Sequence, residues 1–145
     1  MKRALVFGTF DIIHRGHISF LRQARRKGRW LIVSVARDSF IREMKDRDPI
    51  HTEQERITQL LETGLVREVY LADAQIGTYT TVRRARPEVI CFGHDQDALK
   101  KDLQQWLDRN GMDVPTHTLR SHKAHRYKSS KIIHRRNQEN KPANR

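Results

Sequence analysis

Short apolar runs alternate along the chain with longer stretches in which apolar residues return every three or four positions. Arg3–Phe7, Leu31–Val35, Val69–Leu71 and Glu88–Phe92 have the length and content of buried strands. Between the first two, Ile18, Phe20, Leu21 and Ala24 predict a helix from about Gly16 to Lys27. The basic triplet Arg25-Arg26-Lys27 suits its C-terminus, and Gly28 follows as a stop. Thr52 and Glu55 have capping-box spacing ahead of a helix striped by Ile57, Leu60 and Leu61 and closed by Gly64. A short helix over Thr78–Arg86 stops at Pro87. A longer one over Ala98–Asn110 puts Leu99, Leu103, Trp106 and Leu107 on one face. Val114–Leu119 reads as a fifth strand, at an edge because of Pro115. Phe40–Asp48 has no strong period and reads as a charged connection: a solvated loop, or a mobile flap that carries a cation. A last helix opens near Ser129 and carries Ile132 and Ile133. Strands alternating with helices, without an internal repeat, predict an α/β fold with a parallel sheet. One domain is expected over 1–136, with a flexible basic tail over 137–145 that lacks an apolar anchor.

Composition narrows the picture. The 145 residues suffice for one domain with a real core. The formal net charge is +12, but it is unevenly spread. From Arg120 onward there are 9 Lys and Arg against 1 acidic residue; before it the balance is 20 against 16. The core is thus mildly basic and the C-terminal segment strongly so, which fits nucleic acid, an acidic membrane or an anionic small substrate. No apolar run reaches membrane-spanning length and the opening run is too short for a signal peptide, so a soluble, cytoplasmic protein is expected. The single Cys91 excludes an internal disulfide; its apolar neighbours Val89, Ile90 and Phe92 predict a buried thiol.

The candidate chemistry concentrates in Gly8-Thr9-Phe10-Asp11-Ile12-Ile13-His14-Arg15-Gly16-His17, between the first strand and the first helix. A strand-to-helix turn offers free backbone N–H groups and the positive end of the helix dipole, which suits phosphate. Gly8 permits a sharp turn, and Gly16 removes a side chain where a ligand could approach. His14 and His17, three apart at a helix start, lie on one side. The simpler alternative is that Thr9 or Asp11 caps the helix and the two histidines are surface residues. A second polar turn, Gly93-His94-Asp95-Gln96, follows the fourth strand, and Tyr127-Lys128-Ser129-Ser130-Lys131 puts hydroxyls and lysine at a third helix start.

The first string resembles the signature of cytidylyltransferase-like nucleotidyltransferases, G-T-F-D-x-x-H-x-G-H after the first strand, at every fixed position. The resemblance runs from Lys2 to about Arg136. It implies a Rossmann-like sheet ordered 3-2-1-4-5, which makes the first and fourth strands neighbours at the switch point, where open α/β sheets bind ligands. It implies His14, His17 and Lys45 as catalytic, with Arg47 the alternative to Lys45. Gly8, Thr9, Phe10, Asp11, Gly16, Arg56, Asp95, Ser129, Ser130 and Lys131 join the two histidines at the nucleotide. Arg56 by itself reads as a surface arginine, and Asp95 as a helix cap. Arg120 and Arg126 compete for the arginine that cytidylyltransferases place before the hydroxyl motif.

The resulting expectation is a nucleotidyltransferase that moves a nucleoside monophosphate from ATP or CTP to a phosphate-bearing acceptor and releases pyrophosphate. Gly93-His94-Asp95-Gln96 and the Ser-Ser-Lys-Ile-Ile string look more like archaeal-type FAD synthetases, which adenylylate FMN, than like glycerol-3-phosphate cytidylyltransferases, the alternative. No cluster has the spacing of a metal cage, so Mg²⁺ is expected to arrive with the nucleotide. No membrane partner is expected, and a homodimer is left open. The rival class is a basic nucleic-acid-binding module, which the segment after Arg120 favours but the scarcity of interleaved aromatics does not.

Overall fold

Six residues, Arg3–Gly8, form the central strand β1 of a computed structural model that describes residues 1–121. It is followed by α1 (Arg15–Lys27), β2 (Trp30–Val35), α2 (Asp38–Lys45), α3 (Glu53–Glu62), β3 (Glu68–Leu71), α4 (Thr80–Ala85), β4 (Val89–Phe92), α5 (Asp97–Arg109) and β5 (Thr116–Thr118). The five strands are parallel in the order β3-β2-β1-β4-β5. β1 pairs with β2 from Arg3↔Trp30 to Gly8↔Val35, and with β4 at Ala4↔Val89 and Leu5↔Ile90.

Helices cover both faces because alternate strand residues point opposite ways. Ala4, Val6, Val33 and Val35 pack with Leu21 and Ala24 of α1 and Leu60 of α3. Leu5, Ile32 and Ile90 pack with Val82 of α4 and Leu103, Trp106 and Leu107 of α5. Cys91 is fully buried in the first core, and burial pushes its thiol up to about 11. α1 approaches the sheet closely at its C-cap Gly28, where a Cβ would lie 2.8 Å from that of Ala4. The Thr52/Glu55 capping box forms as the spacing predicted.

One element differs in kind. Most of the expected charged connection is helical: Asp38–Lys45 forms α2, with Asp38 in its first turn, Arg42 and Lys45 in its last, and Ile41 alone buried. The charges complement the helix dipole. A single apolar anchor over eight residues is too little to produce a visible period, so the helix was hidden. At the far edge β5 is shorter than predicted. Pro115 lies outside it, and the Pro115 carbonyl accepts from the Ile90 N–H at 3.0 Å.

Candidate active site

A cleft of about 220 Å³ opens beyond the C-terminal ends of β1 and β4, at the switch point. The turn after β1 contributes Gly8, Thr9, Phe10 and His14, and α1 contributes Gly16, His17 and Phe20. The turn after β4 contributes Gly93, His94, Asp95 and Gln96. Phe7, Arg120 and Ser121 complete the wall. The two polar turns are thus brought together.

The first turn is built around Phe10, which takes a left-handed φ of 50° and buries its ring. The ring lies where a side chain on residue 8 would stand: a Cβ on Gly8 would fall 2.5 Å from Phe10 Cε2. Gly8 therefore serves by leaving room for Phe10, and φ is positive at Phe10 rather than at Gly8. Thr9 is 7% exposed, and its hydroxyl has no hydrogen-bond partner among the described residues.

His14 is the N-cap of α1 and His17 its third residue, in a capping box made from two imidazoles. His14 Nδ1 accepts from the Gly16 N–H at 3.1 Å; His17 Nδ1 accepts from the His14 N–H at 3.3 Å. A ring nitrogen that accepts carries no proton, so both rings are set as the Nε2–H tautomer. The rings stack with centroids 4.0 Å apart, and Phe10 lies 5.1 Å from His17. A Cβ on Gly16 would stand 3.0 Å from His14 Cε1, so this glycine makes room for the capping imidazole. The cap is thus His14 itself rather than Thr9 or Asp11, and His17 is buried rather than a surface residue; capping is what orients the pair.

Asp11 and Arg56 face inward and tie the turn to the segment before α3. The Asp11 carboxylate accepts from the Ile50 and His51 N–H groups at 2.9 and 2.8 Å, with Arg47 at 3.5 Å. Arg56 corrects the expectation of a surface arginine, since it is fully buried. Its guanidinium donates to the Thr9 carbonyl at 2.9 Å, the His51 carbonyl at 3.2 Å and Asp38 Oδ1 at 2.7 Å. Asp38 and Glu53 in turn exchange backbone-to-carboxylate bonds at 2.8 and 3.2 Å, joining the starts of α2 and α3. Lys45 is half-buried at the end of α2 and does not line the cleft.

Asp95 lines the cleft, and the residue at the N-cap position of α5 is Gln96, without a side-chain cap bond. Instead the Gln96 amide spans the switch point, accepting from the Gly93 N–H at 2.8 Å and donating to the Phe7 carbonyl at 3.0 Å. Sequence reading placed Gln96 at the crevice, in the polar turn after β4, but left Phe20 and Ser121 out of the site; Phe20 carried no signal, because its spacing suits a core position. Ser129, Ser130, Lys131 and Arg126 lie outside the described residues, as do the expected last helix and the tail.

Among the described residues no three His, Cys, Asp or Glu side chains gather to hold a metal ion. Nor is any helix among them long and apolar enough to cross a membrane.

A family model described as cytidylyltransferase-like matches residues 5–135. The chain belongs to the cytidylyltransferase-like family. It is a nucleotidyltransferase, which decides between the enzyme and binding-module classes. An FAD synthase of Thermococcus kodakarensis is 38% identical over 134 residues, covering 92% of this chain and 90% of the relative. One from Pyrococcus horikoshii is 37% identical with the same coverage. Among solved structures, a lipopolysaccharide core biosynthesis protein from Thermoplasma volcanium superposes with a TM-score of 0.77 at 31% identity, over 85% of this chain and 99% of that one. A pantothenate synthetase from Thermus thermophilus shares the fold alone, at 15% identity and a TM-score of 0.58, over 86% of this chain and 58% of that one. Nucleotidyltransferases of this kind generally use a divalent metal.

Proposed function

We propose that this protein is an FAD synthase, transferring the adenylyl group of ATP to FMN in the cytoplasm. The FAD synthase relatives, matched over about nine-tenths of both chains, carry this reading. An oxygen of the FMN phosphate attacks the α-phosphorus of ATP. The bond from that phosphorus to the oxygen bridging to the β-phosphate breaks, and pyrophosphate leaves. Charge builds on the oxygens around the α-phosphorus and on the leaving group, so the protein's work is to position both substrates and stabilise that charge.

The capping box prepares His14 and His17 for this task. Each Nδ1 is occupied by a backbone N–H, which leaves Nε2–H as the donor toward phosphate. The Thr9 hydroxyl adds a further donor on the same wall. Lys45 reaches the triphosphate from the end of α2. Asp95, across the cleft, reads a ring edge or hydroxyl of nucleotide or acceptor. Ser129, Ser130 and Lys131 complete the phosphate contacts. Asp11 and Arg56 hold the Thr9 turn in place rather than touching phosphate. Mg²⁺ would come with the nucleotide and would shield the charge of its phosphates. The domain extends to residue 136.

The test is product formation by the purified protein with MgCl₂ and each pairing of ATP or CTP with FMN or glycerol 3-phosphate. Pyrophosphate and FAD from ATP and FMN alone are expected. Turnover of CTP with glycerol 3-phosphate, and none of ATP with FMN, would overturn the assignment.

A further inference from the structure

The last described residues reach the cleft by a route with an identifiable cause. After β5 the chain is pinned twice in succession. Leu119 is buried, and its N–H donates to the Phe92 carbonyl at 2.7 Å. Arg120 is then gripped by a side chain 97 positions away. Gln23 Oε1 accepts from the Arg120 N–H at 3.0 Å, and Gln23 Nε2 donates to the Arg120 carbonyl at 2.9 Å. Gln23 lies on α1, the helix whose first turn carries the two histidines. Ser19, one turn earlier, accepts from the same Nε2 at 3.4 Å.

We infer that Gln23 is a positioning residue of the cleft: its carboxamide fixes the backbone of Arg120, so that Arg120 and Ser121 form a wall beside His14 and His17. This rests on the nucleotidyl-transfer reading of the same site. Only a carboxamide places a donor and an acceptor side by side at this reach. A carboxylate of the same length keeps the bond from the Arg120 N–H but turns its second oxygen on the Arg120 carbonyl. Arg120 is exposed and lines the cleft, which brings a cationic residue to the rim of a site that takes anionic substrates. Locking its backbone removes freedom that nucleotide binding would otherwise have to remove.

Three measurements on the full-length protein test this. Hydrogen exchange of the Arg120 amide reads the clamp without any substrate: Gln23→Glu keeps protection closer to wild type than Gln23→Ala, which loses it. Calorimetry with the magnesium complex of a non-hydrolysable ATP analogue reads the wall. Both variants should bind about tenfold more weakly, the scale of one or two lost hydrogen bonds. In turnover, KM for ATP should rise while kcat changes less than threefold. Arg120→Ala should weaken binding similarly, and adding Gln23→Ala to it should cost less than a further twofold, because the clamp acts through Arg120. Wild-type exchange in Gln23→Ala, wild-type analogue affinity in both variants, or fully additive losses would overturn the inference. Weakened analogue binding together with no turnover of FMN by the wild type would retire FMN and leave Gln23 in place.

Discussion

Replacing Arg56 with methionine removes a buried cation that makes three hydrogen bonds, to the carbonyls of Thr9 and His51 and to Asp38. Methionine fills much of the same volume, so the loss is mainly polar. Breaking one side of a buried ion pair costs about 3–5 kcal/mol. The Asp38 side chain is 20% exposed, so water softens its loss and the lower end applies to the pair. Each carbonyl stripped of its donor adds about 1 kcal/mol, partly recovered by relaxation. A total of about 4 kcal/mol follows, a large fraction of the stability of a domain this size. At about 4 °C per kcal/mol the melting temperature should fall by roughly 15 °C. Thermal and urea denaturation followed by circular dichroism measure it. Arg56→Lys should recover little, since an ammonium cannot serve three acceptors in a fixed fork. Pairing Arg56→Met with Asp38→Asn should cost less than the sum of the two changes, because no charge is then stranded. The competing expectation, an arginine that contacts substrate phosphate, makes the opposite forecast: a melting temperature within 3 °C of wild type and a much weakened affinity for ATP. That outcome would refute the structural role.

Three further outcomes follow from the same geometry. His17→Ala should lower kcat by about a hundredfold or more with a smaller change in nucleotide affinity, the scale of one lost oxyanion-type donor; near-normal kcat in the folded variant would remove it from the catalytic set. Gly8→Ala forces a Cβ to within 2.5 Å of the Phe10 ring and should cost about 1–3 kcal/mol in urea denaturation, whereas wild-type stability would show that the ring can move aside. At Asp73, burial works to raise the carboxyl, but hydrogen bonds from Thr78, Thr80 and Thr81 outweigh it and hold the group at about 2 against an ordinary 3.8. Its folded value is depressed, so the stabilisation is full above about pH 4 and lost as pH falls toward 2. The urea midpoint of wild type should exceed that of Asp73→Asn by a constant margin near neutrality and by a shrinking one below pH 4. A margin independent of pH would contradict this.

The sequence by itself determined the strand-and-helix alternation, the Thr52 capping box, the burial of Cys91 and the identity of the loop between β1 and α1. These depend on neighbours a few positions apart, and their patterns survive in one dimension. The family resemblance supplied the strand order, which no local pattern encodes. Only the tertiary structure decided what the polar residues do. Arg56 looks like any helix-surface arginine until Thr9, His51 and Asp38, from three other parts of the chain, converge on it. α2 stayed hidden because its stability comes from dipole-matched charges and from the Asp38–Glu53 exchange rather than from an apolar stripe. Gly8 was read as a turn-making glycine and Gly16 as room for a ligand, but the space at these positions belongs to Phe10 and His14, which follow or precede them by two residues. The Gln23 clamp spans 97 positions and the Gln96 bridge spans 89, and such pairings exist only once the sheet has assembled and set helix starts, strand ends and the chain's exit side by side.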